Sequence, residues 1–209
     1  MGIRGISKAT LDRLPWYLTY LKTLPEKAPL NISATMIAEA LGLGDVQVRK
    51  DLASVSGAGK PKVGYIVKDL IRDLENFLGY NDLNNAFLIG CGKLGRALLD
   101  YTGFIQYGLN VVAGFDSDES VLGETDSGKE IFSLEKFPDL CERMKIRIGI
   151  ICVPRNSAQQ VCDLMINCGI KGIMNFAPVH LSVPSDIIVQ NENLAAELAK
   201  LSGKLINIT

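Results

Sequence analysis

The chain has 209 residues, of which 47% are hydrophobic and 22% charged, a balance typical of globular proteins and a length sufficient for one large domain or two small ones. The net charge of −1 gives no global reason to expect a nucleic-acid or membrane partner, and no segment reaches the roughly 18 apolar residues of a membrane span. The N-terminus lacks the apolar stretch of a signal peptide and the five cysteines form no C-x-x-C pair, so we expect a reduced, cytoplasmic protein without a metal site.

Charge is divided unevenly between the two parts of the chain. Residues 1–80 carry eleven Lys and Arg against eight Asp and Glu, a net of +3, whereas residues 81–209 carry eleven against fifteen, a net of −4. A mildly basic N-terminal part permits a local nucleic-acid surface without requiring one.

The first 80 residues predict a helical domain with a small β-ribbon. Apolar residues recur at helical spacing in TLDRLPWYLTYLKTL, SATMIAEALGLG and VKDLIRDLENFLGY, and DVQVRKDLASV begins with Asp45, a residue suited to cap a helix. The glycines and proline of SGAGKPKVGYIV, followed by Val63, Tyr65 and Val67, predict a β-ribbon with a flexible tip. Helix, short helix, helix and ribbon in this order indicate a winged helix-turn-helix.

The segment VQVRKDL is the predicted recognition helix. Arg49 and Lys50 are adjacent and project about 100° apart, so that one can reach a base edge while the other contacts a phosphate. Residues 46–68 carry five Lys and Arg against one Asp, a net of +4. A charged, solvated helix on a protein-interaction domain is the alternative from pattern alone. The candidate DNA-contacting residues are Gln47, Arg49, Lys50, Lys60, Lys62 and Tyr65.

After residue 80 the pattern changes. The polar segment Asn81–Asn85 marks a domain boundary, and beyond it the apolar runs AFLIG, LNVVAGFD, IRIGIICVP, KGIMNFAP and DIIVQ alternate with helical segments. Such alternation predicts a parallel sheet covered on both faces. The segment NENLAAELAKLSGKL predicts a last helix that packs on its own domain or on a partner subunit. The expected fold class is α/β, with a winged-helix DNA-binding domain in 1–80, a Rossmann-type domain in 81–190 and a C-terminal dimerisation helix in 191–209.

A dinucleotide-binding loop is predicted directly after the strand AFLI. Three glycines stand at the spacing G-x-G-x-x-G, a helix follows, and the next strand ends in Asp116, 21 residues after the last glycine. This is the pattern that holds a pyrophosphate at a helix N-terminus and a ribose on an acidic side chain. The acidic segment FDSDES would repel a 2′-phosphate, which favours NAD(H) over NADP(H). The candidate residues are Gly90, Cys91, Gly92, Lys93, Leu94, Gly95 and Asp116.

The sequence offers few groups for acid–base chemistry on that dinucleotide. A dehydrogenase needs a proton donor or acceptor near the nicotinamide, typically His, Lys or Tyr. The chain has one histidine, His180, and no Tyr-x-x-x-Lys pair follows the glycine loop. The sequence therefore favours a role other than catalysis over a small NAD-dependent dehydrogenase with an interaction module. A helix N-terminus can lower the pKa of a thiol such as Cys91, but a small buried residue between two glycines is the simpler interpretation.

Nearly the whole chain resembles the Rex family of redox-sensing transcriptional repressors. The matching stretches are ATLDRLPWYLTYLKTL, VQVRKDL, VGY, IGCGKLGRALLDYTGF, FDSD, IICVP and GIKGIMNFAPVHLSVPSDIIVQN. The resemblance implies a homodimer that binds double-stranded operator DNA at an inverted repeat. It implies that NADH releases the protein from DNA, that NAD⁺ favours the DNA-bound form and that the last helix is exchanged between subunits. It also places the nicotinamide near Val153, Pro154, Asn175 and Phe176, and gives Tyr101 a part in distinguishing the two redox forms.

The chain departs from the family at two positions that act together. Members usually have Arg where this chain has Thr19 and Asp where it has Asn193, and those two charges pair in only one state of the protein. The wing also differs, with Pro61 and two lysines where Arg and Gly are usual. These departures suggest a second hypothesis, an NAD-binding DNA regulator with weakened redox discrimination. A CoA- or nucleotide-binding module without a DNA role is a further alternative.

Overall fold

The structure is a computed structural model that describes residues 6–25, 29–80 and 84–206. The chain divides into two compact units, Met1–Asp82 and Leu83–Thr209. The boundary predicted at Asn81–Asn85 falls partly on residues 81–83, which lie outside the described residues.

The N-terminal unit is a small helical bundle with a two-stranded sheet. Helices α1 and α2 each begin behind a serine, Ser7 and Ser33, whose hydroxyl accepts a backbone N–H of the first turn. Apolar side chains of α1, α2, α3 and α4, including the fully buried Leu14, Leu52 and Leu70, form one core. The elements are α1 (Lys8–Thr23), β1 (Asn31–Ile32), α2 (Ala34–Leu41), α3 (Asp45–Ser56), β2 (Tyr65–Ile66) and α4 (Val67–Leu78).

The β-ribbon is shorter than the sequence suggested. Strand β2 pairs with β1 in antiparallel fashion, and within the predicted ribbon a single bridge joins Lys60 to Gly64. Val67 already belongs to α4. The cap assignment at α3 was also wrong by one residue, because Gly44 is the N-cap and Asp45 is the first helical residue.

The C-terminal unit contains the predicted parallel sheet. The strand order is β5-β6-β4-β3-β7-β8-β9, and every neighbouring pair is parallel except β5 and β6, whose short hairpin was not predicted. Four α-helices and three short 3-10 helices belong to the described part of this unit. The elements are β3 (Asn84–Ile89), α5 (Lys93–Leu99), β4 (Leu109–Asp116), β5 (Gly123–Glu124), β6 (Glu130–Ser133), α6 (Phe137–Met144), β7 (Ile148–Ile151), α7 (Ala158–Asn167), β8 (Gly172–Asn175), β9 (Ile188–Asn191) and α8 (Leu194–Ile206).

The sheet is buried on both faces. Phe87, Phe115 and Phe137 are fully buried and pack edge to face on one side, together with Ile173 and Met165. A smaller cluster that includes Leu88, Leu99 and Ile131 fills the other side. Alternate residues of β3 therefore enter two cores, which explains why its sequence is a continuous apolar run.

Helix α8 lacks such burial. Its four leucines, Leu194, Leu198, Leu201 and Leu205, are between 55% and 68% exposed. Within residues 6–25, 29–80 and 84–206, no helix combines the length and apolar composition needed to span a membrane.

Candidate nucleotide cleft and DNA-contacting surface

A cleft of about 840 Å³ lies at the carboxyl ends of the central strands. Strand β3 lies between β4 and β7. The strands that follow β3 in the chain, β4 to β6, lie on one side of it, and β7 to β9 lie on the other. The cleft is therefore at the point where the strand order reverses, the usual ligand site of such sheets. The volume suits a cofactor, since ligand clefts typically measure about 300–1,000 Å³. Its lining residues are Ile89, Gly90, Gly92, Leu94, Asp116, Ser117, Leu134, Cys152, Val153, Pro154, Ser157, Gln160, Val161, Leu164 and Phe176.

The three glycines of the loop have different surroundings. Gly90 has φ +99°, and a Cβ there would lie 2.6 Å from the carbonyl carbon of Cys152. A Cβ on Gly95 would lie 1.9 Å from the carbonyl oxygen of Gly90, so α5 can pack on the loop only without a side chain. Apart from Gly92 itself and its two chain neighbours, no atom of the described residues lies within 4 Å of the position that a Cβ would take on Gly92, which lines the cleft. The loop thus keeps open the space that a pyrophosphate needs.

Asp116 is fixed against this loop at the end of β4. Its Oδ2 accepts the backbone N–H of Cys91 at 2.6 Å, and its Oδ1 accepts the N–H of Asp118 at 3.0 Å. The carboxylate also lines the cleft, where its remaining lone pairs can accept hydroxyl protons of a ribose. Asp118 and Glu119 follow it on the exposed surface and make this end of the cleft unfavourable for a 2′-phosphate.

The structure brings seven of the predicted cofactor residues together around the cleft. Those that line it are Gly90, Gly92, Leu94, Asp116, Val153, Pro154 and Phe176. Cys91, Lys93, Gly95, Tyr101 and Asn175 are absent from that lining.

The side chain of Cys91 points into the sheet core and is fully buried. Burial, together with the charge of Asp116, raises its pKa to about 12, the opposite of the lowering considered for a thiol at a helix N-terminus. The Cys91 side chain is therefore a buried core group. Only the backbone of Cys91 takes part in the loop, where its N–H donates to Asp116.

Asn175 has a structural role, and its predicted contact with the cofactor stays a prediction. It is fully buried, and its amide donates to the carbonyl oxygens of Ala177 and Val179 and to Asn191 Oδ1, while its oxygen accepts the N–H of Ala177. The amide thereby fixes the turn after β8.

Tyr101 lies just after α5, with 53% of the residue exposed. Its ring meets Phe104 edge-on at 5.0 Å and covers Gly103, where a Cβ would lie 2.3 Å from the ring. The ring thus rests on its own segment in this structure.

Residues that the sequence did not single out complete the cleft, from the segment after β6 and from α7. Leu134 follows β6, and Gln160, Val161 and Leu164 belong to α7. Their position in the chain could have identified them, because a Rossmann-type sheet places the segments that follow its strands around the ligand.

The N-terminal unit presents the predicted recognition helix. Val48 and Leu52 are fully buried, whereas Gln47, Arg49 and Lys50 are exposed on the outer face of α3. Arg49 makes an exposed ion pair of 3.3 Å with Asp45, the kind of contact that contributes little and is easily exchanged for a phosphate.

The wing carries two exposed lysines, Lys60 and Lys62, in a tight turn. Tyr65, in contrast, is 7% exposed and belongs to the core of the unit, so little of its side chain is open to DNA, and its predicted DNA contact stays a prediction. Its ring lies directly below Gly59, where a Cβ would come within 2.8 Å of it. Tyr65 therefore supports the wing from inside.

The described residues contain no group of three or more His, Cys, Asp or Glu side chains placed to hold a metal ion.

Two family models match the chain. Residues 81–179 match a model described as "CoA binding domain", and residues 5–53 match one described as "Putative DNA-binding protein N-terminus".

Curated relatives match over almost the whole chain. A protein of Bacteroides thetaiotaomicron named "Redox-sensing transcriptional repressor Rex" is 40% identical over 200 residues, which cover 96% of this chain and 91% of that protein. A protein of the same name from Treponema denticola is 41% identical over 198 residues, which cover 95% of this chain and 94% of that protein.

Solved structures also match the chain over almost its whole length. The structure of RSP in complex with β-NAD⁺ and operator DNA has a TM-score of 0.91 and 36% identity, covering 98% of this chain and 94% of RSP. RSP in complex with β-NADH has a TM-score of 0.85 and 34% identity, covering 97% of this chain and 95% of that chain.

Proposed function

The chain belongs to the Rex family of redox-sensing transcriptional repressors, and we propose that NADH, bound in the cleft of its C-terminal unit, releases its N-terminal unit from operator DNA. The observation that carries the proposal is the presence, in one chain, of a dinucleotide cleft and an exposed recognition helix. The dinucleotide is then a signal and not a reagent.

The cleft supports a preference for the reduced cofactor. The nicotinamide of NAD⁺ is cationic and that of NADH is neutral. Val153, Pro154 and Phe176 give the cleft an apolar wall, and a cation is less favourable than a neutral ring in such surroundings. A ligand shifts an equilibrium only through different affinities for its two states, and a nearly complete shift requires roughly 5 kcal/mol of difference.

The protein acts as a homodimer on an inverted repeat. We propose that α8 docks on the second copy of the chain, because its four leucines form an exposed apolar stripe. Two copies of α3 then read the two half-sites in the major groove, with Lys60 and Lys62 on the flanking backbone or minor groove.

The proposal includes a regulatory role without catalysis. The groups that line the cleft include Asp116, Ser117 and Ser157, while His, Lys and Tyr do not occur among the lining residues in the described part of the chain. We also propose a cytoplasmic location, since a repressor must reach the chromosome. The match to a CoA-binding model concerns the same Rossmann-type unit. A test of DNA binding distinguishes a DNA-binding repressor from a CoA- or nucleotide-binding module without a DNA role.

A weaker redox switch is a second candidate, and two contacts favour it. Thr19 donates its hydroxyl to the carbonyl oxygen of Pro15 at 2.9 Å, and Asn193 Oδ1 accepts the N–H of Ala196 at 3.0 Å. Both side chains are neutral and satisfied locally, so the charge pair usual in the family has no counterpart at these positions.

Fluorescence anisotropy on a labelled inverted-repeat operator tests the proposal, with NADH titrated at a fixed excess of NAD⁺. Release by NADH supports the complete switch. Tight binding that NADH leaves unchanged would retain the DNA regulator and overturn redox sensing. The double variant Arg49→Ala, Lys50→Ala should lose DNA binding while keeping NADH binding; binding of the operator at the original affinity would contradict the placement of the recognition helix.

A further inference from the structure

Gln47 on the outer face of α3 is held in one orientation by a residue of another helix. When its amide oxygen faces α1, that oxygen accepts Nη1 of Arg13 at 2.9 Å and Nη2 at 3.1 Å. The opposite orientation would set the NH₂ group against the same N–H donors, which is unfavourable. The exposed amide of Gln47 is therefore oriented by Arg13.

Arg13 is itself fixed by a buried carboxylate. Its Nε donates to Asp51 Oδ2 at 2.8 Å and its Nη2 to Oδ1 at 3.0 Å, a two-bond pair of fixed geometry. Tyr17 donates to Oδ2 at 2.8 Å and Thr10 to Oδ1 at 3.0 Å, which completes the hydrogen bonding of Asp51.

The buried carboxylate remains ionised in this setting. Burial alone would raise the pKa of Asp51, but the hydrogen bonds from Arg13, Tyr17 and Thr10 outweigh it and hold that pKa below its ordinary value. The guanidinium of Arg13, which orients Gln47, is thus held by the ionised carboxylate of Asp51. Its position is fixed more firmly than that of an exposed side chain.

This arrangement determines which hydrogen bonds Gln47 has left for DNA. An amide oxygen has two lone pairs, and Arg13 occupies both. The group that remains for an external partner is the NH₂ group, which only donates. The usual pairing of Gln with adenine requires both groups, the oxygen for N6–H and the nitrogen for N7.

We propose that Gln47 is a specificity-determining residue that donates to an oxygen acceptor in the major groove and thus selects guanine or thymine at one position of each half-site. Guanine presents O6 and N7 as acceptors and thymine presents O4. Adenine sets an N6 donor beside its N7, and cytosine presents only a donor. The inference rests on the proposed function, because it requires that α3 enters the major groove.

Binding selection from a pool of inverted repeats with randomised half-sites tests the proposal on the full chain. The wild-type protein should enrich guanine or thymine at one symmetric position. Gln47→Ala should lose that preference alone, by about fivefold or more in relative affinity, as expected for one hydrogen bond. Gln106→Ala, an exposed glutamine of the C-terminal unit, is the matched control and should leave every preference unchanged.

Two further variants separate the orientation of the amide from its mere presence. Gln47→Glu replaces the outward donor by an acceptor, and the preference at that position should change to cytosine or adenine. Arg13→Lys keeps a positive charge beside Asp51 but cannot occupy both lone pairs, so adenine should become accepted there. Circular dichroism shows whether Arg13→Lys folds, and Gln47→Glu leaves the Arg13–Asp51 pair in place.

The outcomes distinguish a failure of the role of Gln47 from a failure of DNA recognition as a whole. If the wild-type protein enriches a motif and both Gln47 variants retain its base preferences, the proposal for Gln47 is overturned while DNA recognition stands. Enrichment of adenine by the wild-type protein at the position that Gln47→Ala relaxes overturns it as well. If the wild-type protein enriches no sequence at all, the proposed function fails, and the inference fails with it.

Discussion

The carboxylate of Asp116 and the backbone N–H of Cys91 lie 2.6 Å apart, so the acidic end of β4 is joined directly to the glycine loop. We expect Asp116→Asn to weaken NADH binding by about tenfold or more, because a hydrogen bond to a charged group contributes roughly 1.5–3 kcal/mol. NADPH should lose less affinity, since the repulsion of its 2′-phosphate falls. The fluorescence of bound NADH and NADPH measures both affinities.

A suitable control for this prediction is Asp186→Asn. Asp186 is an exposed carboxylate that pairs with Lys171 at 2.6 Å and does not line the cleft. Its loss should leave both nucleotide affinities unchanged. An Asp116→Asn protein with undiminished NADH affinity would show that the ribose hydroxyls have another partner.

Gly92, the N-cap of α5, and Gly95, in its first turn, give a matched pair of glycine substitutions. Gly95→Ala forces a Cβ to within 1.9 Å of the Gly90 carbonyl oxygen, so the folded unit should lose about 1–3 kcal/mol of stability. The methyl group of Gly92→Ala meets no atom of the described residues beyond its chain neighbours within 4 Å, so the unfolding temperature should stay nearly unchanged. The same methyl group enters the space reserved for the pyrophosphate, so NADH affinity should fall.

Thermal unfolding and NADH titration of both variants test this separation. The expected pattern is a lower unfolding temperature for Gly95→Ala and, for Gly92→Ala, weaker binding without loss of stability. Normal NADH affinity in a stable Gly92→Ala protein would place the pyrophosphate elsewhere.

The sequence predicts the parts of the fold whose causes are local. Gly90, Gly92 and Gly95 stand at a spacing that predicts a tight turn and a close approach of the backbone to a pyrophosphate. The acidic residue at the end of the next strand predicts a ribose contact. Residues near one another in the chain create both features, so the sequence is enough to predict them. The apolar runs of the central strands report burial on both faces in the same way. Family resemblance adds the partners and the signal.

Features that depend on distant residues could not be predicted. Asn175 and Tyr65 stand in motifs that suggest contacts with ligands, yet tertiary packing buries both. Arg13 and Asp51 are 38 residues apart, and only the packing of α1 on α3 brings them together. The loop between β5 and β6 carries the turn residues Ser127 and Gly128, but β5 has only two residues, Gly123–Glu124, and no apolar alternation marks it as a strand.

The wing turn contains a residue in a conformation that favours glycine. Lys62 has φ +63°, which costs a residue with a side chain about 1–2 kcal/mol. We expect Lys62→Gly to stabilise the N-terminal unit while weakening operator binding, because a phosphate contact is lost. The slope of log K against log salt should fall by about 0.9 for each lysine removed.

Lys60→Ala is the control for the wing. It removes a charge from the same turn at a residue whose φ is not positive. It should weaken operator binding in a similar way without the gain in stability. Anisotropy at several salt concentrations and thermal unfolding give the two readouts. Operator affinity that survives Lys62→Gly at low and high salt would exclude this side chain from the interface.

Thr19 and Asn193 allow the weakened-switch hypothesis to be tested by restoring charge. Both side chains are neutral and bonded within their own helix or cap, so they cannot form the ion pair usual in the family. In the double variant Thr19→Arg, Asn193→Asp, we expect the NADH/NAD⁺ ratio at half-release to move by up to about fivefold, as an ion pair of at most about 1 kcal/mol produces. Each single variant should have a smaller effect, since one charge lacks its partner. Additive single effects in the anisotropy titration would mean that the two positions do not meet, and switching would then depend on the cleft alone.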